Sequence, residues 1–202
     1  MRDSNEALIV IDVQNDFCPG GALAVATGDE IVPGINALMD EFQVVVLSQD
    51  WHPAGHSSFA SAHPEQETMS VIEMAYGPQV LWPDHCIQGS RGAEFHSNLR
   101  QDHAQMIVRK GYNSAIDSYS AFFENDHKTS TGLAGYLQQR GVEKLTLVGL
   151  ALDFCVNYSA TDGATLGFEV TVEQSLCRAI DINGSLEAAR ALMSTSGVTL
   201  NG

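Results

Sequence analysis

The chain has 202 residues, a length expected to form one domain over 1–202 with a sizeable core, and its 44% hydrophobic and 17% charged residues suit a globular protein. A formal net charge of −15 argues against nucleic acid or an anionic membrane surface as partner. No run approaches the roughly 20 apolar residues of a membrane span. The N-terminus enters an apolar segment without a secretory pattern, so the cytoplasm, where thiols stay reduced, is the expected compartment.

Ala7 to Val13, ALIVIDV, is an apolar run of strand length ending at Asp12, and a turn-rich loop, QNDFCPGGALAV, follows. Ile31, Ile35, Leu38, Met39 and Phe42 recur at helical spacing, with Asp29 near the start. Val44 to Leu47 reads as a second buried strand, followed by SQDWHPAGHSSF. Ala60 to Arg100 is long and irregular, with Pro64, Pro78 and Pro83 and several glycines; a compact domain rarely carries such an excursion unless it builds a site. Met106 to Val108 predicts a third strand running into Arg109 and Lys110, and a helix is expected from about Thr131 to Gln139. Leu145 to Leu150 is a fourth strand. A helical pattern through Val156, Ala160 and Ala164 follows, closed by Gly167, with Asp153 placed to cap it and Cys155 in its first turn. Phe168 to Val172, Leu186 to Met193 and Val198 to Leu200 read as strand, amphipathic helix and short strand.

Strands alternating with helices predict an α/β fold: a central, mostly parallel sheet of about six strands with helices on both faces. In such sheets the site lies beyond the C-terminal strand ends. Asp12, then Asp50 with His52, then Lys110, then Cys155 follow successive strands and so fall on one rim. Asp12, partly desolvated there, suits a general base, although Asp16 has a comparable claim. Lys110 would steady negative charge on its neighbours. Cys155 beside a helix N-terminus is expected to lean toward thiolate. The four cysteines, Cys18, Cys86, Cys155 and Cys177, form no C-x-x-C pair, which excludes a zinc knot and a dithiol redox motif.

Asp50 and His52 share one face of an extended segment and together offer an oxygen and a nitrogen ligand. His56, His63 and His85 are the candidates for a third. His85, in LWPDHC beside Trp82 and Pro83, is preferred, while His63, His96, His103 and His127 suit ordinary loop positions. Ligand types alone leave the metal unassigned.

The segments IDVQNDFCPGGALAV, SQDWHPAGHSSFA, LWPDHCIQGSRGAEFH, RKGYNSAIDSYSAFF and VGLALDFCVNYSATDGATLGF, in this order, resemble the nicotinamidase (pyrazinamidase) branch of the isochorismatase-like cysteine hydrolases. The resemblance covers most of the chain to about residue 170; the later stretch VEQSLCRAID departs from it. It implies a catalytic triad of Asp12, Lys110 and Cys155, and metal ligands Asp50, His52 and His85 for one divalent ion, zinc first, then iron or manganese. His56 matches a position that joins the metal only in some members. Phe17, Trp82 and Tyr119 would line a ring pocket. The amides of Ala151 and Cys155 would form an oxyanion hole, with a cis peptide between Leu150 and Ala151. The activity implied is hydrolysis of nicotinamide to nicotinic acid and ammonia, and of pyrazinamide to pyrazinoic acid. The rivals are another superfamily amidase, a metal-binding protein without catalysis, and a thiol peroxidase. Whether the chain forms a homo-oligomer is left open by the sequence.

Overall fold

A computed structural model describes residues 2–202. Its elements run β1 (Glu6–Ile11), α1 (Val32–Met39), β2 (Val44–Asp50), β3 (Val71–Met74), β4 (Gly77–Val80), β5 (Met106–Lys110), α2 (Leu133–Gln139), β6 (Lys144–Leu150), α3 (Asn157–Thr165), β7 (Glu169–Arg178), α4 (Ser185–Thr195) and β8 (Thr199–Asn201). Six strands form one sheet in the order β5-β2-β1-β6-β7-β8, every neighbouring pair parallel. This is the α/β sheet expected from the alternating pattern.

The central strands β1 and β6 and the first half of β2 are mostly apolar and buried because both faces of the sheet are covered there. Along β1, Ala7, Ile9 and Ile11 join a core with Leu133 and Leu137 of α2, Ala160 of α3 and Met193 of α4. The intervening Leu8 and Val10 join a second core with Val32, Ile35 and Met39 of α1 and with Trp82, Phe95 and Leu99. The long segment between β2 and β5 therefore does structural work: with α1, it is the second covering layer.

That segment is less irregular than expected, since β3 and β4 pair as an antiparallel hairpin, Val71↔Val80 to Met74↔Gly77. Strand β7 also continues past the expected Val172 to Arg178, with a register irregularity opposite Leu147 and Gly149. Asp153 does not cap α3. Its carboxylate accepts hydrogen bonds from the N–H groups of Ile180 and Asp181, at 3.0 and 2.8 Å, and so ties the end of β7 to the turn after β6. A turn of π-helix, Leu152–Val156, precedes α3 instead. Among the described residues no helix is long and apolar enough to cross a membrane.

Candidate active site

The sheet order brings the chemistry together. Lys110 ends β5, Asp50 ends β2, Asp12 follows β1 and Cys155 follows β6, and these four strands are consecutive neighbours. The chain direction across the sheet reverses between β1 and β6, where open parallel sheets form their crevice, so Asp12 and Cys155 flank that switch point.

Lys110 is fully buried and is the hub. Its Nζ lies 3.0 Å from Asp12 Oδ2, 3.0 Å from Asp50 Oδ1 and 3.5 Å from Cys155 Sγ, and donates to the Ser118 carbonyl at 2.8 Å. Burial alone would strip its proton, but the Asp12 and Asp50 carboxylates outweigh that and hold its pKa well above the usual value. Asp12, in a left-handed conformation at φ 46°, is also fully buried. Burial raises its proton affinity, opposed by Lys110 and by a hydrogen bond from Ser48 Oγ to Oδ1 at 2.6 Å. Asp16, the other claimant for a base, is spent on backbone: it accepts from the N–H groups of Cys86 at 2.7 Å and Ala22 at 3.1 Å.

The expectation of a resting thiolate is overturned. Burial pushes the Cys155 thiol well above its ordinary value, and Asp12 and Asp50 add to the rise, against which Lys110 is insufficient. Burial is the largest cause, and the carboxylates brought in from β1 and β2, which no pattern near Cys155 contains, add to it. Burial therefore favours the thiol over the thiolate, with the Asp12 carboxylate across Lys110 from it.

Next to this trio is a second group. Asp50 Oδ2 lies 3.0 Å from His52 Nε2 and 3.4 Å from His85 Nε2. His52 Nδ1 donates to the Gly111 carbonyl at 2.8 Å, and His85 Nδ1 to the Pro83 carbonyl at 2.8 Å. With both Nδ1–H groups committed, the two rings turn Nε2 toward one carboxylate, a donor set that suits a cation. Nitrogen and oxygen donors of this kind fit a divalent metal ion. A proton can partly fill the need: Asp50 outweighs burial and holds His52 at about 9, while His52 and Lys110 hold Asp50 well below the usual carboxylate value. Gly111 is required here, since its φ is +67° and a Cβ would stand 2.5 Å from His52 Cε1.

His56 is buried nearby but has no free donor atom. Its Nδ1 accepts from the Ser58 N–H at 3.1 Å and its Nε2 faces the Asn113 carbonyl at 2.8 Å. Burial, then the charge of His52, lower its pKa and keep the ring neutral. His63 binds the Ser57 carbonyl.

Cys155, Ala151, Asp50 and His85 border a small cavity walled by Phe17, Trp82, Tyr119 and Phe154. The Trp82 and Phe154 rings meet edge-on at 4.9 Å, and Trp82 Nε1 donates to the Tyr119 hydroxyl at 3.0 Å. The Leu150–Ala151 peptide is cis. Two buried residues carry no sequence-based expectation here: Asp117 lines the cavity, and Gln79 stands behind it. Asp117 Oδ1 lies 3.9 Å from His52 Nε2, and Gln79 Nε2 donates to Asp117 Oδ2 at 2.6 Å and to the Tyr119 hydroxyl at 2.8 Å. Asp117 stands in a loop without period, but its place two residues before Tyr119 was an available signal. Gln79 had none, because only the hairpin carries it inward.

A parallel sheet with a buried thiol, carboxylate and ammonium at its switch point defines an α/β protein with a candidate site built around a cysteine. The chain belongs to the isochorismatase family, whose Isochorismatase domain matches residues 6–200. It is 53% identical over 199 residues to a nicotinamidase of Acinetobacter baylyi, covering 98% of this chain and 93% of that protein. Its fold superposes on an Acinetobacter baumanii nicotinamidase/pyrazinamidase with a TM-score of 0.98 at 52% identity, covering 100% and 97% of the two chains. The Pyrococcus horikoshii pyrazinamidase, solved in complex with zinc, matches with a TM-score of 0.80 at 33% identity, covering 97% and 98%.

Proposed function

We propose that this protein is a nicotinamidase, a cysteine amidohydrolase that converts nicotinamide and water to nicotinic acid and ammonia. The observation that carries the reading is the meeting of Asp12, Lys110 and Cys155 beside an aromatic-walled cavity lined also by Asp50 and His85, which cluster with His52. The likeness to nicotinamidases over nearly the whole chain supports the same reaction.

Phe17, Trp82 and Tyr119 sandwich the flat ring and exclude water. Asp12 takes the Cys155 proton as sulfur attacks the carboxamide carbon, so charge separates only when substrate is present. Oxygen charge then gathers at the Ala151 and Cys155 amides, where one such donor is typically worth about 3 kcal/mol. Asp12 returns its proton to the nitrogen, which leaves as ammonia, and a thioester remains on Cys155. Asp12 next deprotonates a water that attacks the thioester carbon, releasing nicotinic acid and the thiol. Lys110 stays protonated throughout and balances Asp12 and Asp50. Asp50, His52 and His85 would hold one divalent ion, zinc first and iron or manganese after it, supplying a Lewis-acidic seat for the ring nitrogen. Pyrazinamide presents a ring of the same shape with nitrogen at the same distance and is expected as a second substrate. The pyridine acid released feeds NAD synthesis, a cytoplasmic salvage role.

The test is ammonia release from nicotinamide by the parent and by Cys155→Ala. The parent should turn over and the variant should lose a factor on the order of 10⁴ or more while keeping its metal content. A parent without turnover, or an active variant, refutes the assignment.

A further inference from the structure

Strand β2 reads VVVLSQD and all of it is buried. A hydroxyl inside such a strand must find partners in the protein. Ser48 finds both of its partners on one residue: its Oγ accepts from the Asp12 N–H at 3.2 Å and donates to Asp12 Oδ1 at 2.6 Å. This two-point clamp holds Asp12 in its left-handed conformation and fixes the plane of its carboxylate. The other oxygen, Oδ2, faces the Lys110 ammonium 3.0 Å away, on the side of the site where Cys155 stands against the same Lys110 Nζ at 3.5 Å.

We infer that Ser48 is a positioning residue for the proton step: by occupying Oδ1 it leaves Oδ2 as the atom that receives the Cys155 thiol proton. In that step the S–H bond breaks, an Oδ2–H bond forms, and the electron pair left on sulfur attacks the carboxamide carbon. Ser48 keeps its own proton. The inference rests on the triad reading above. The charged or titratable groups facing Asp12 are Asp50 from β2, Lys110 from β5 and Cys155 from the turn after β6. Of the forces on Asp12, the Ser48 hydrogen bond favours the ionised form. Its loss leaves Oδ1 without its partner, frees the carboxylate to rotate, and makes it easier to protonate.

The experiment is steady-state hydrolysis of nicotinamide across pH by the parent, Ser48→Ala and Ser48→Thr, each checked for fold and metal content. Ser48→Ala should lower kcat about 10- to 100-fold, the weight of one hydrogen bond to a charged group, with KM within about threefold. Its acid limb should move to higher pH, and Ser48→Thr, which keeps the hydroxyl, should recover most of the loss. A folded Ser48→Ala protein with the parent's kcat and acid limb overturns the inference, as does a Thr variant no better than Ala. If Ala fails to fold, Ser48→Cys, nearly the same size but a weak donor, should show the same shift, and a parent-like profile there overturns it equally. A parent that releases no ammonia refutes the nicotinamidase reading, whereas an active parent with an unaffected Ser48→Ala refutes only the role of Ser48.

Discussion

The two halves of this rim are built from the same kinds of residue and have opposite needs. Asp12, Lys110 and Cys155 balance one another: one carboxylate, one ammonium, one neutral thiol. Asp50, His52 and His85 aim three lone-pair donors at one point, with the reverse side of each ring tied to a carbonyl. The first half needs only a proton to move, and the second needs a cation to arrive. Lys110 touches both, through Asp12 Oδ2 and Asp50 Oδ1. A third cluster, His52 with His56 and Asp117, is as close and as buried, but His56 has no nitrogen to spare. Proximity and burial do not make a metal site; uncommitted donor atoms do.

Breaking the link should do the most damage. Lys110→Met leaves two buried carboxylates without a counter-charge, a loss of about 3–5 kcal/mol, read as a fall in Tm on the order of 10 °C together with loss of turnover. A Tm within a degree or two of the parent would mean the halves are held by something other than this ammonium. His85→Ala should separate them: metal affinity drops by about 100-fold or more on titration with zinc followed by elemental analysis, while the Cys155 environment is kept. Unchanged metal content would move the third ligand elsewhere. His56→Ala should cost about 1–3 kcal/mol of stability through unmade buried hydrogen bonds and leave metal content as it was. Metal loss there would promote His56 and Asp117 to ligands.

The smallest effect lies behind the rim. Burial, only partly offset by Lys110, lifts Glu124 from 4.5 to about 7, and its Oε2 has no partner. The folded protein therefore keeps a proton that the unfolded chain gives up. The stability this contributes is full below 4.5 and is lost as pH rises through about 7. Glu124→Gln should flatten the decline of Tm between pH 5 and pH 7.5 (about half to one unit beyond each pKa). An unchanged slope would assign the decline to other groups.

Much of the fold was legible because parallel strands buried on both faces leave continuous apolar runs, as in ALIVIDV and LTLVGL. The rim positions followed from strand ends alone, without side-chain geometry. The hairpin was not legible: β3 and β4 are largely solvent-facing and β4 contains Pro78, so neither run looks like a strand. Gln79 and Ser48 sit in segments whose local pattern carries no sign of what they touch, and for Asp117 the sole hint is its spacing from Tyr119. Asp153 looked like a helix cap because a cap is a local device, and its true partners lie beyond β7.

The sequence by itself determined the class of fold and the strand ends on which Asp12, Asp50, Lys110 and Cys155 stand, and it narrowed the candidate metal histidines, since each depends on short-range pattern. Only the tertiary structure decided which donors are free and which proton sits where. Those outcomes depend on burial and on charges brought within about 3–4 Å from other strands, distances at which a low dielectric makes electrostatics outweigh any local preference.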